Sequence, residues 1–187
     1  MAQLDIKRIV DLVGLSVDKY AEASGMGAWD TPESWMQCAL LEPLREHGFF
    51  VMLECRTRDL LKWAEDGEHK PSAKFEEYSG RSGRVDVVLF EPNPVPENAK
   101  FCALIEVKKH SGVRYHCNDD ASRLRDLGRR IGVEHAILVV FVQGYNETHR
   151  IQQIDELAEQ LCAAPVAQSK PVDSFGSSYN VVAFNCV

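Results

Sequence analysis

Two stretches decide the fold: residues 84–91, RVDVVLFE, and residues 101–109, FCALIEVKK. Each is a run of β-branched and apolar side chains of strand length. Between them stands NPVPENA, whose prolines cannot continue a ladder and whose asparagines favour a turn. The pair therefore predicts a β-hairpin. Charge interrupts both arms: Asp86 in the first, Glu106 and Lys108 in the second. A buried charge is costly unless it is paired or bound to a metal. Side chains alternate along a strand, so Glu106 and Lys108 share a face, and Asp86 shares a face with Val88 and Phe90. Antiparallel pairing can then bring Asp86 beside Glu106, so that two carboxylates and one ammonium converge.

Two adjacent carboxylates repel each other. A hard divalent cation such as Mg²⁺, with Mn²⁺ as a substitute, relieves the repulsion by taking oxygen ligands while keeping several waters. Such an ion polarises a phosphoryl oxygen and lowers the pKa of a bound water. An ammonium next to it orients the nucleophile and stabilises negative charge as it develops. This combination suits phosphodiester hydrolysis.

Working outward, apolar residues at Ile6, Ile9, Val10, Val13, Val17 and Tyr20 predict a helix over residues 4–21, ended by Gly25 and Gly27. Thr31-Pro32 predicts the start of a second helix, running to about His47 with Gly48 as its stop and Pro43 bending or ending it early. A strand follows at residues 49–55, then a charged connection over 56–82 with one short helix around 60–64. Beyond the hairpin, Asn118 or Asp119 is expected to cap a helix that Gly132 closes. AILVVFV at 136–142 reads as a strand covered on both faces. Thr148 is expected to cap the next helix, with Ile151, Ile154, Leu157 and Leu161 as its buried stripe, and residues 181–184 form a last strand. The order α, α, β, β, β, α, β, α, β predicts an α/β fold with a mixed sheet flanked by helices. At 187 residues a single domain is expected.

The run VDVVLF, the interval from Asp86 to Glu106 and the Glu106-Val107-Lys108 tripeptide resemble the PD-(D/E)xK, or restriction-endonuclease-like, nuclease superfamily. Val85 stands where the name-giving proline would be. The resemblance implies an αβββαβ core over residues 32–142, with residues 1–28 as an N-terminal helical extension and 143–187 as a C-terminal extension. It also implies metal binding by Asp86, Glu106 and the Val107 carbonyl, with Lys108 as the catalytic lysine. Many members add a glutamate from the helix before the first strand. Glu33, Gln37 and Glu42 compete for that role, and Glu33 is favoured; Glu54, at the end of the first strand, is a further candidate.

Six cysteines at 38, 55, 102, 117, 162 and 186 form no CxxC pair and read as reduced core residues rather than zinc ligands. The net charge of −7 argues against a protein that coats nucleic acid non-specifically. The charge is segregated, however. Residues 108–130 carry seven Lys/Arg against three Asp, a local balance of +4 that leaves −11 elsewhere. Within this stretch Lys109, His110, Arg114, His116 and Arg123 are candidate phosphate contacts. The arginines from Arg123 to Arg130 also read as the solvated face of a helix whose Leu124, Leu127 and Ile131 face the core.

No secretory signal or 18-residue apolar run is visible, so a cytoplasmic, non-membrane protein is expected. The expected activity is a Mg²⁺-dependent nuclease acting on DNA rather than RNA, in restriction, repair or defence. Its size leaves little room for a separate recognition module, which suits a homodimer or a larger complex. The alternative is an inactive nuclease-fold module that binds nucleic acid or a protein partner without cutting.

Overall fold

The computed structural model describes residues 4–66, 83–91, 100–110, 117–174 and 177–187. Seven strands form one mixed sheet in the order β1-β2-β3-β4-β7-β5, with β6 pairing β7. The strands are β1 (Phe50–Arg56), β2 (Arg84–Phe90), β3 (Phe101–His110), β4 (His135–Gly144), β5 (Ala167–Gln168), β6 (Val172–Ser174) and β7 (Ser177–Asn185). β2 and β3 pair antiparallel, as the hairpin reading expects. β3 and β4 pair parallel across a connection that contains a helix, and β4 and β7 pair antiparallel. The class is therefore α/β with a mixed sheet.

Among the described residues five α-helices cover the sheet: α1 (Ile6–Ser24), α2 (Glu33–Glu46), α3 (Thr57–Asp66), α4 (Cys117–Ile131) and α5 (Glu147–Leu161). The alternation of the strands sorts the core into two layers. Val87, Leu89, Ala103, Ile105, Val107, Ile137, Val139 and Phe141 pack with Ile9, Val13, Met36 and Leu40 of α1 and α2. Val88, Leu104, Leu138, Val140 and Val142 pack on the other side with Leu60, Leu124, Leu127, Ile154 and Leu157 of α3, α4 and α5. β4 is buried on both faces, so it is apolar almost throughout.

Several local expectations are corrected. Helix α2 does not use Thr31 as a cap: Pro32, in extended conformation, occupies that position, and its carbonyl accepts the first N–H groups of the helix from Trp35 and Met36. Pro43 does not end α2, which runs through it for a last turn to Glu46. His47 N–H closes that turn on the Pro43 carbonyl, and Gly48 reverses the chain at φ 89°. Helix α4 begins at Cys117, one residue before the expected caps, which places Asp119 and Asp120 in its first turn, where they complement the helix dipole. Asn146, not Thr148, caps α5, accepting from the His149 N–H at 2.9 Å. The last strand is longer than 181–184 because β4 offers it a partner from Ile137 to Gly144. Strands β5 and β6 were not expected, and α3 extends the short helix expected over 60–64 to ten residues.

Candidate active site

The site is built where the β2–β3 ladder stops. The register runs Leu89↔Ala103, Val88↔Leu104 and Val87↔Ile105, and one further step places Asp86 across from Glu106. Both carboxylates stand on the face that carries α3 and α4, the face of Val88 and Leu104. Beyond the ladder the Val107 N–H donates to Asp86 Oδ2 at 2.8 Å, so a side chain takes the place of the missing strand partner. Asp86 is 7% exposed and Glu106 1% exposed, an unusual depth for two acids.

Lys108, next on the same face, places Nζ 3.6 Å from Glu106 Oε2 and 3.7 Å from Asp120 Oδ2. Arg123, one turn further along α4, pairs with Glu106 Oε1 and with Asp120 Oδ1 at 3.0 Å, and its other amino group donates to the Arg84 carbonyl. Glu106 Oε2 is buried and has no hydrogen-bond partner. The cluster thus contains three acids (Asp86, Glu106, Asp120) and two bases (Lys108, Arg123).

The electrostatics follow from that imbalance. Burial, reinforced by the neighbouring charge of Asp86, pushes the Glu106 carboxyl up to about 8 against the opposing pull of Arg123 and Lys108. Burial alone would lower the Lys108 ammonium, but Glu106, Asp86, Asp120 and Glu33 outweigh it and hold the group above its usual value. Arg123 is held charged in the same way, chiefly by Glu106 and Asp120 against burial.

The remaining candidates fall into different environments. Glu33, in the first turn of α2, accepts the Lys109 backbone N–H at 3.0 Å, so it reaches the β3 end without joining the Asp86–Glu106 pair directly. Gln37 is buried on the same helix, and Glu42 is exposed. Glu54 has a left-handed backbone at φ 55° and pairs with Arg84 at 3.5 Å, near the site's rim. Lys109 points away from Lys108, as alternation requires: Nζ donates to the Trp29 carbonyl at 2.9 Å and stands 5.1 Å from the centre of the Trp29 ring. His110 is buried at the end of β3. Arg114 and His116 lie outside the described residues. Arg123, expected to contact phosphate or solvent, turns inward. Arg125 likewise donates to the Cys186 carbonyl at 2.7 Å, while Arg129 is exposed.

Asp120 is the member that sequence reasoning missed as a site residue. Its signal was its place three residues before Arg123, which puts both on one helix face. Among the described residues no group of three or more His, Cys, Asp or Glu side chains is arranged to hold one metal ion, so any ion here would rest on the acidic pair plus backbone or water oxygens. All six cysteines are free, and burial pushes the Cys55, Cys102 and Cys117 thiols up to about 11, which keeps them protonated. No helix among the described residues is long and apolar enough to cross a membrane. Comparison with known proteins yields no matching family model, no matching curated protein and no matching solved structure.

Proposed function

We propose that the chain is a divalent-metal-dependent nuclease of the restriction-endonuclease-like kind, cleaving phosphodiester bonds in DNA. The observation that carries this reading is the buried Asp86–Glu106 pair with Lys108 beside it, in which Glu106 Oε2 has no hydrogen-bond partner. Among the described residues, three acids and two bases surround the orphaned carboxylate oxygen, an excess of one negative charge. A proton shared by Asp86 and Glu106 balances that charge; a divalent cation in its place would leave the cluster at +1, an excess that a substrate phosphate would offset. Asp86, Glu106 and the Val107 carbonyl would hold the ion, with waters completing its shell. Bound there, the ion supplies Lewis-acid polarisation of a phosphoryl oxygen and a more acidic water.

The chain's own groups do the rest. The Val107 N–H fixes the Asp86 carboxylate, so its orientation needs no reorganisation during reaction. Lys108, one quarter exposed, presents a permanent positive charge toward solvent on the acidic pair's face, where it can hold a phosphate oxygen and stabilise charge at the scissile bond. Asp120 keeps that ammonium charged and in place.

A second reading is favoured by one observation: Arg123 already pairs with Glu106 and Asp120, as in a fold whose cation site has been replaced by a fixed side chain. In that case the protein binds nucleic acid or a protein partner without cutting. One experiment separates the two. Purified protein is incubated with circular DNA, linear DNA and RNA in Mg²⁺, Mn²⁺ or EDTA, beside Asp86→Ala and Lys108→Ala. Metal-dependent nicking by the wild type, reduced at least about a hundredfold in each variant, is expected. Equal cleavage by all three proteins, or calorimetric Mn²⁺ binding unaffected by Asp86→Ala, removes the nuclease reading.

A further inference from the structure

At the end of the sheet, beyond His110, lies a cavity of about 350 Å³ lined by Trp29, His110, Gln143, Gly144, Tyr145, His149 and Gln153. That volume is at the small end of ligand pockets, which run from roughly 300 to 1,000 Å³. It sits outside the carboxyl ends of the parallel strands β3 and β4, where open α/β sheets place their ligands. Among the described residues, none that lines it is a Lys, Arg, Asp or Glu.

The lining is polar and unsatisfied. His110 is 4% exposed, and its Nδ1 has no hydrogen-bond partner. His149 Nδ1 and Gln153 Oε1 are likewise buried and without partners. Buried polar atoms normally find partners in protein, water or ligand, so three orphans around one cavity leave directed bonds for whatever fills it. Burial holds the His110 imidazole below its usual pKa against the opposing charge of Glu156, so near neutral pH it offers one donor and one acceptor. Tyr145 at the rim is 84% exposed and stacks on His149, with ring centres 5.1 Å apart at 34°. Such exposure is unusual for so large an aromatic side chain.

The local chain explains the construction. Gly144 is required because a Cβ there would stand 2.5 Å from the Arg150 backbone nitrogen, so only glycine lets α5 start directly above the end of β4. The Asn146 cap then locks the first turn of α5 and brings His149 and Gln153, one turn apart, over the cavity.

We infer that this cavity receives a single unstacked nucleobase of the nucleic-acid substrate, stacked on Tyr145 and His149 and read by His110 and Gln153. The inference deepens the proposed nuclease reading and rests on it. A neutral, planar, heteroaromatic ligand with donors and acceptors along its edge matches an uncharged lining of aromatic rings, imidazoles and amides. His110 lies two residues beyond Lys108 on one face of β3, about 7 Å along the strand. A phosphate held at Lys108 and a base in the cavity thus belong to the same or neighbouring nucleotides. A base inside a duplex cannot enter, so the substrate is single-stranded or has a flipped-out nucleotide.

The test is anisotropy in EDTA, where no cleavage occurs, with a labelled single strand of about twelve nucleotides and a same-length abasic strand. The wild type should bind the base-bearing strand about tenfold more tightly than the abasic one. Tyr145→Ala, at a position too exposed to affect folding, should abolish that preference, and Tyr145→Trp should keep it. Gln153→Leu should keep the preference over the abasic strand while relaxing discrimination among homopolymers. Equal binding of the two strands by a wild type that still cleaves DNA in Mg²⁺ overturns the base pocket and leaves the nuclease reading intact. Failure both to bind and to cleave removes both. Displacement of the strand by nucleoside monophosphates near the strand's own Kd overturns the inference too, assigning the cavity to a free nucleotide.

Discussion

Strands β3 and β4 lie side by side and parallel, with Glu106 opposite Leu138, Lys108 opposite Val140 and His110 opposite Val142. Both are central and buried, and both pack between the same two layers of helices. Yet β4 is apolar at all three positions, whereas β3 presents an acid, a base and an imidazole on that face. Backbone geometry therefore does not demand these polar groups. The neighbouring strand solves the same packing problem with Leu and Val, and the stable choice for β3 would be the same. The opposite face of β3 makes the point again: Ile105 and Val107 are fully buried against the α1 and α2 layer, like Val139 and Phe141 of β4. Of these two neighbouring strands, β3 alone carries buried charge, and on one face only.

The largest effect is expected from a charge placed where no partner waits. Val139→Asp, in the apolar layer, should cost about 3–5 kcal/mol, enough to unfold the chain or sharply lower its urea midpoint. A midpoint within error of the wild type would mean that this layer tolerates charge as the other face does. A smaller effect is expected from Arg123→Met, which strips Glu106 and Asp120 of a half-buried counter-ion and should lower stability by about 1–3 kcal/mol. The site's charge balance adds a condition: Mn²⁺ should raise the melting temperature of this variant by more than that of the wild type. An equal shift in both proteins would show that Arg123 and the ion do not compete for the same acids.

A third effect is a pH dependence, spread over several pH units. Glu106 is held at about 8 in the folded chain against a usual value of 4.5, so between those limits the folded state retains a proton that the unfolded state has released. Stability must then fall as pH rises across that window, with the full contribution present below about 4.5 and lost above about 8. Melting curves in EDTA should show this decline in the wild type and a flatter profile in Glu106→Gln. Parallel profiles would place the titrating group elsewhere.

What could be read from the chain and what could not divide along physical lines. Strands β2, β3 and β4 were legible because a strand's period of two and its β-branched content are local properties, and Asp86, Glu106 and Lys108 were legible because they interrupt that pattern. The inward turn of Arg123 was not legible. It depends on Glu106 and Asp120 standing within reach beside the stripe of Leu124 and Leu127, and Glu106 comes from a strand that meets α4 only in the folded chain. The α5 cap was misplaced for a simpler reason: Asn146 and Thr148 are both good caps two residues apart, and only the turn at Gly144 selects between them. The cavity was invisible because Trp29, His110 and His149 come from three distant segments and meet only after the sheet has formed.

The register that ends at Val87↔Ile105 has a consequence for how this chain tolerates insertions and deletions. Slippage of β3 by one residue would rotate Glu106 and Lys108 among Ile9, Met36 and Leu40 and turn Ile105 and Val107 out of their layer, losing the core and the chemistry in a single event. Length changes confined to the hairpin turn leave that alignment alone, whereas any odd-numbered change within the arms does not. The core and the acid–base cluster therefore share one alignment, and neither can drift without the other.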